Sequence, residues 1–224
     1  MGVHDGHRDR VRKRFLENDL NGFADHEALE LLLHYAIPQR DVNPLAHELI
    51  GRFGSLSGVL SAPIELLLET PGVGERTAVL LRLAPLIAQK ARLEDLEREL
   101  AFNSRERVGS YLLELFSLER SEAVYQLCLD AKGKFLACKR LGEGSVSAVT
   151  VDIRRIVQNA ILASASSVIL AHNHPSGIAL PSEDDKIVTD QVKAALASIG
   201  VRLDDHIIVA DQDFVSLAQS GYLP

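Results

Sequence analysis

The chain has 224 residues, of which 46% are hydrophobic and 25% are charged, and its formal net charge at pH 7 is −7. This composition is typical of a globular protein and excludes a disordered chain, a collagen and a coiled coil. No apolar run reaches the roughly 18 residues that span a bilayer, and two cysteines are too few for a disulfide scaffold.

The charge is spread over both halves of the chain. Residues 1–100 contain 12 Lys and Arg against 16 Asp and Glu, and residues 101–224 contain 12 against 15. Neither half is basic, so bulk charge does not predict strong electrostatic binding to nucleic acid. Because residues 1–14 are polar and contain no apolar signal region, we expect a cytoplasmic protein with reduced thiols and no membrane partner.

The first half of the chain predicts helices alone. Helical apolar spacing runs through the segment around Phe15, residues 26–35 and residues 44–53, with Gly or Pro breaks between them. A further short helix begins at Pro63. Residues 90–106 are strongly charged and predict either a linker or an exposed helix end. We therefore expect an all-α domain at 1–103 and a second domain at 104–224.

Residues 66–80 of the first domain contain a hairpin pattern, in which a short turn lies between two helical segments. The Gly72-Val73-Gly74 turn before Glu75 resembles the helix-hairpin-helix of DNA-binding proteins. In that motif, glycines allow close backbone approach, and amides at the second helix bind a phosphate without reading sequence. Gly72, Gly74 and Arg76 are the candidate DNA contacts, and the expected binding is weak, non-specific and salt-sensitive. The alternative is a hairpin that only packs two helices, since Glu75 opposes a phosphate.

The second half mixes strands and helices, which predicts an α/β or α+β sandwich. The predicted elements are a helix at 105–118, strands at 123–129 and 135–141, a helix after Asp152, a strand at 168–171, a helix from Ser182 that ends before Gly200, and a strand at 206–210. His206 lies inside the last apolar strand and is predicted to be a satisfied core histidine.

Two histidines follow the apolar strand at 168–171. His172 and His174 are two residues apart, so in an extended chain their imidazoles project to the same face. Asp185 begins the next helix, and the intervening loop can fold it back toward them. Two nitrogens and one carboxylate oxygen, with water in the fourth position, predict an open zinc site. The alternative is that Ser182 and Asp185 form a capping box that needs no metal.

The pattern of His172, His174, Pro175, Ser182 and Asp185 resembles the JAMM motif of MPN/JAB-domain metalloproteases. Glu122, which precedes a predicted strand, matches the glutamate that the motif has upstream. Further segments, from residues 6–8 to residues 205–208, resemble the RadC family, and the resemblance covers about residues 6–222. It implies an MPN/JAB-like α+β sandwich preceded by a small all-α helix-hairpin-helix domain.

The resemblance also implies a function for each motif residue. His172, His174 and Asp185 would bind zinc, Glu122 would take a proton from the zinc-bound water and deliver it to the leaving amine, and Ser182 would donate a hydrogen bond to the oxyanion. The implied activity is that of a zinc hydrolase that cleaves a peptide or isopeptide bond in a protein or peptide substrate. The alternative is a DNA-associated repair module that binds DNA through the hairpin, with a structural or inactive metal site.

Overall fold

The computed structural model describes residues 5–98, 104–143 and 152–223. The chain divides into two compact units, Met1–Ala88 and Gln89–Pro224. The domain boundary predicted at residue 103 falls on residues 99–103, which lie outside the described residues, so it stays a prediction. In the part of the chain that the structure describes, no helix has the length and apolarity that a membrane crossing requires.

The described residues of the first unit form helices joined by turns and loops, and no strands. Its helices are α1 (Asp5–Asn18), α2 (Asp25–Ala36), α3 (Asn43–Phe53), α4 (Leu56–Ser61), α5 (Ile64–Leu68) and the start of α6 (Glu75–Arg98). Leucines that the helical spacing directs inward form the core, among them Leu29, Leu33, Leu49, Leu67 and Leu81. Because α6 continues to Arg98, the charged segment at 90–98 is a helix end and not a linker.

The second unit contains a five-stranded sheet and three further helices. Its elements are α7 (Arg105–Phe116), β1 (Ala123–Leu129), β2 (Phe135–Glu143), α8 (Ile153–Leu162), β3 (Ser167–Asn173), α9 (Glu183–Ala197), β4 (Arg202–Ala210) and β5 (Asp213–Ser216). The strand order is β2-β1-β3-β4-β5. Among the strands that the structure describes, β3 and β4 form the one parallel pair, and α9 makes the crossover that a parallel pair requires.

Both faces of the sheet are buried, as a sandwich requires. Leu170 of β3 packs with α8 and α9 through Ile156 and Val192. Ile169, its neighbour in sequence, packs on the opposite face with Tyr111 of α7. This alternation explains why β3 is apolar from Val168 to Ala171. The helical first unit followed by a mixed α+β sheet confirms the predicted fold class.

Three strands are longer than the sequence predicts, since β2 also extends to Glu143, and β5 was not predicted. β3 extends through His172 to Asn173, so the metal-site segment begins inside the sheet. β4 begins at Arg202 and not at His206, because Leu203 and Asp205 are buried while Arg202 and Asp204 face solvent. The charged residues in that alternation concealed the first half of the strand.

Candidate metal centre

The candidate site lies where β3 ends, beside β1 and β4. His172 is fully buried and is paired in the sheet with Val124 on one side and Ile208 on the other. His174 follows the strand, and its backbone N–H donates to Val209 O at 2.8 Å. Its imidazole Nδ1 lies 2.9 Å from Ile178 O. Because a carbonyl only accepts, Nδ1 of His174 carries the proton and Nε2 presents a lone pair.

The imidazoles of His172 and His174 converge on one point. Their Nε2 atoms are 2.9 Å apart. One ligand atom each from Glu122, His172 and His174 lie within 4.8 Å of one another. Asp185 joins them, with Oδ1 at 3.2 Å from His172 Nε2 and Oδ2 at 3.8 Å from His174 Nε2. The two imidazoles therefore lie close to both carboxylates, Glu122 within the cluster and Asp185 beside the two histidines.

A chain of buried hydrogen bonds sets the tautomer of His172. Thr189 Oγ1 donates to Asp185 O at 2.6 Å, so it accepts from His206 Nδ1, also at 2.6 Å. His206 Nε2 is then bare and accepts from His172 Nδ1 at 2.9 Å. Nε2 of His172 is thereby left without a proton and points at His174 and Asp185. Orientation of a ligating histidine through its other nitrogen is characteristic of metal sites.

This donor set fits a metal ion. Two bare imidazole nitrogens 2.9 Å apart repel each other unless a cation lies near both. Protonation of one ring is disfavoured, because burial lowers the pKa of His172 well below its usual range, and His206 lowers it further while Asp185 opposes the change. Burial likewise lowers the pKa of His206 to about 3. His172 and His206 are therefore neutral at physiological pH, and a neutral imidazole is the form in which His172 can bind a metal.

Ser182 and Asp185 form the capping box at the start of α9. Ser182 Oγ accepts from Asp185 N at 3.1 Å and donates to Asp185 Oδ2 at 2.6 Å, while Ser182 N donates to the same oxygen at 2.7 Å. The cap engages Oδ2, and Oδ1 remains directed at His172. The Asp185 carboxylate can thus cap α9 through Oδ2 and face His172 through Oδ1 at the same time. The sequence analysis treated these two roles as alternatives.

A cavity of about 310 Å³ opens beside His174. It lies between the end of α7 and the ends of β3 and β4, and its wall includes Phe116, Arg120, Asp211 and Gln212. Its wall is therefore mixed, with apolar and charged side chains.

The structure brings together four of the five predicted motif side chains and ties the fifth to them. Glu122, His172 and His174 form one cluster, Asp185 contacts both histidines of that cluster, and Ser182 is bonded to Asp185. The sequence analysis missed Thr189 and the link from His206 to His172. It identified His206 correctly as a satisfied buried histidine, but its partner depends on the parallel pairing of β3 with β4, which a sequence does not show.

The three candidate DNA contacts lie together in the first unit. Gly72 has a left-handed φ of 89°, and its carbonyl accepts from Arg40 Nη2 at 2.6 Å. Gly74 O accepts from the backbone N–H groups of Thr77 and Ala78 in the first turn of α6. Arg76 is exposed in the same turn. The hairpin geometry is therefore present, with the Arg40 guanidinium as an additional cation beside it.

The second unit, with helices around a mixed sheet and a histidine and carboxylate cluster at a strand end, is a JAB-type domain. The family model described as "RadC-like JAB domain" matches residues 102–222. UPF0758 protein FN0909 of Fusobacterium nucleatum subsp. nucleatum is 32% identical over 225 residues, which cover 97% of each chain. The chain belongs to the RadC family.

Proposed function

We propose that residues 104–224 form a zinc-dependent hydrolase that cleaves a peptide or isopeptide bond. The observation that carries the proposal is the convergence of His172 and His174, whose Nε2 atoms are 2.9 Å apart, with Asp185 at 3.2 Å from one of them. Three protein ligands that leave one coordination position open are characteristic of catalytic zinc and not of structural zinc.

His172, His174 and Asp185 would hold the ion. Zinc bound there would polarise a carbonyl group and lower the pKa of a water molecule to about 7. The buried relay through His206 keeps His172 in the ligating tautomer, and the contact with Ile178 O does the same for His174. The polypeptide thus orients the Nε2 atoms of both histidines toward one position.

Glu122 is the proposed general base. A carboxyl oxygen of Glu122 belongs to the same 4.8 Å cluster as the histidine nitrogens, and the side chain is only half-buried, so water reaches it. Its role is to accept a proton from the attacking water and to pass that proton to the departing amine, which is the usual contribution of a carboxylate in amide hydrolysis.

Ser182 is the proposed donor to the oxyanion. Its hydroxyl proton is directed at Asp185 Oδ2, and its lone pair accepts from Asp185 N. When the proton turns from Oδ2 to a substrate oxygen, the bond from Asp185 N is kept, so α9 stays capped while the donor acts.

The proposed substrate is a protein or peptide. His174 lines the cavity, and the cavity wall also offers Arg120, Asp211 and Gln212 to the backbone or side chains of a polypeptide. We place the activity in the cytoplasm, because Cys128 and Cys138 are both free thiols.

The test is the metal content of the purified protein. We expect about one zinc per chain, lost in the variant His172→Ala/His174→Ala and kept in His26→Ala/His47→Ala, which removes a stacked histidine pair from the first unit. Incubation of the wild type with a pool of synthetic peptides should then yield new amino termini by mass spectrometry. Wild-type protein without zinc would contradict the proposal.

A second proposal concerns the hairpin of the first unit, which we infer contacts DNA weakly and without sequence preference. The observation in its favour is the guanidinium of Arg40 at Gly72 O, next to the first turn of α6 and exposed Arg76. Fluorescence anisotropy with nicked duplex DNA should show binding that weakens with salt and in Arg76→Ala. Absence of binding at low salt would exclude this function.

A further inference from the structure

We propose that Asn173, the residue between the two histidines, is a positioning residue that sets Glu122 against the metal cluster. The inference rests on the proposed hydrolase function. It starts from two hydrogen bonds: Asn173 Oδ1 accepts from Ala123 N at 2.7 Å, and Asn173 Nδ2 donates to Ser121 O at 3.1 Å. The asparagine side chain thus forms hydrogen bonds with the backbone on both sides of Glu122. We call these two hydrogen bonds the Asn173 clamp.

The strand geometry explains why the Asn173 clamp controls the direction of the Glu122 side chain. β1 pairs with β3 so that Val124 lies opposite His172. Since side chains alternate along a strand, Glu122 projects from the same face as Val124, and therefore toward His172. Asn173 projects from the other face, like Ala123. The clamp therefore holds the backbone at residues 121–123 from one face of the sheet, while the Glu122 carboxylate lies on the opposite face with the histidines.

The two bonds continue the β1–β3 pairing beyond its last backbone partner. The backbone pairing ends at Val124 opposite His172, and the Asn173 amide then takes the place of the next backbone groups. Only an amide side chain offers an acceptor and a donor in this arrangement. Asn173 is 7% exposed and Ala123 is fully buried, so the loss of the side chain leaves the Ala123 N–H without a partner.

The same tripeptide therefore supplies two side chains of the metal cluster and the anchor of the base. The imidazoles of His172 and His174 lie on one face of the sheet. Asn173 lies on the other face and holds the backbone beside Glu122, the proposed base. A displacement of a reacting group by about 1 Å costs on the order of 100-fold in rate. We expect Asn173→Ala to lower kcat by about 100-fold, with KM and zinc affinity within about threefold of the wild type.

The experiment compares Asn173→Ala and Asn173→Asp with Asn159→Ala. Asn159 is a matched control, because its amide also makes a long-range bond in the second unit, to Gln126 Oε1 at 3.0 Å, without contact to residues 121–123. Asn173→Asp keeps the acceptor for Ala123 N but sets a carboxylate oxygen against Ser121 O, so its kcat should fall less than that of the alanine variant. Rates are measured on the best-cleaved peptide of the pool.

Two readouts distinguish positioning from general stability. The double variant Glu122→Gln/Asn173→Ala should be no slower than Glu122→Gln alone, because Asn173 acts through that carboxylate. Hydrogen exchange of the Ala123 amide should accelerate in Asn173→Ala and not in Asn159→Ala. Additive rate losses, or a kcat of Asn173→Ala equal to that of the wild type, would overturn the inference.

Failure of the hydrolase function would be visible separately. If the wild type holds no zinc and cleaves no peptide, the proposed function falls and the positioning role falls with it. The exchange rate of the Ala123 amide still reports the clamp itself, and an unchanged rate in Asn173→Ala would show that the two hydrogen bonds do not hold the segment.

Discussion

His206 Nε2 lies 2.9 Å from His172 Nδ1, although the two residues are 34 positions apart and belong to neighbouring parallel strands. His206 is fully buried, and its other nitrogen contacts Thr189. The innermost member of the candidate metal cluster is thus oriented by a residue that has no contact with the ion's proposed position.

This relationship predicts the effect of removing His206. His206→Leu should weaken zinc binding by about 10–100-fold, the usual range for the loss of a partner behind a metal ligand. His172 loses the acceptor that keeps its Nδ1 protonated, so its Nε2 is bare for less of the time. The measurement is competition with a chromophoric chelator on folded protein. His47→Gln, which removes an exposed histidine of the first unit, should retain wild-type affinity.

A second prediction separates the two glutamates at the start of β1. Glu122→Gln should keep its zinc and lose activity by about 100–10,000-fold, the range for loss of a general base. Glu119→Gln should stay within about threefold, because Glu119 Oε1 already accepts from Tyr125 OH at 2.5 Å and its Oε2 pairs with Arg140 at 3.0 Å. Peptide cleavage and metal content are measured for both. Equal losses in the two variants would contradict the assignment of Glu122.

Ser182 is expected to contribute to stability as well as to rate. Ser182→Ala removes the acceptor of Asp185 N and the donor to Asp185 Oδ2, and should lower the free energy of unfolding by about 1 kcal/mol. Ser182→Thr keeps the hydroxyl and should restore most of that loss. Calorimetry of the zinc-loaded protein gives the stability, and peptide cleavage gives the rate. A rate loss in Ser182→Ala with unchanged stability would show that the cap contributes nothing.

The sequence was sufficient for the local part of this architecture. The apolar run at 168–171, the His-x-His spacing and the cap at Ser182 depend on residues close in the chain, and their periodicity predicted β3, the paired imidazoles and the start of α9. Val168 and Leu170 alternate with Ile169 and Ala171 between two cores, which is why a continuous apolar strand was the correct interpretation.

The parts that the sequence left out depend on pairing between distant strands. The clamp from Asn173 to Ser121 and Ala123 exists only because β1 lies beside β3. The relay to His172 exists only because β4 lies on the other side of β3. Strand order follows from the burial of both sheet faces and not from any local pattern, so these contacts become visible only in three dimensions.

The cysteines give a prediction on pH dependence. Burial raises the pKa of Cys128 to about 11 and that of Cys138 to about 12. At pH 8 only about one Cys128 thiol in a thousand is then the reactive thiolate. Native protein should therefore react slowly with iodoacetamide at pH 8 and faster as the pH rises toward 11, whereas both thiols should react at once in guanidinium.

The same cysteines should form no disulfide. Cys128 is paired with Ala137 and Leu127 with Cys138, so the two sulfur atoms lie on opposite faces of the sheet. Mass spectrometry after mild oxidation should show two free thiols. A disulfide, or alkylation of native Cys138 at the rate of free cysteine, would contradict the structure of this hairpin.

The last prediction concerns the hairpin of the first unit, where two glycines differ in their environment. Gly72 has φ 89°, and a Cβ there would lie 2.7 Å from Arg40 Nη2, while a Cβ at Gly74 would meet nothing within 4 Å. Gly72→Ala should cost about 1–2 kcal/mol of stability, because a left-handed residue with a side chain is strained, and Gly74→Ala should stay within about 0.5 kcal/mol of the wild type. Calorimetry, with hydrogen exchange to locate the change in residues 69–78, makes the measurement. Equal destabilisation by the two substitutions would show that the hairpin does not have the conformation described.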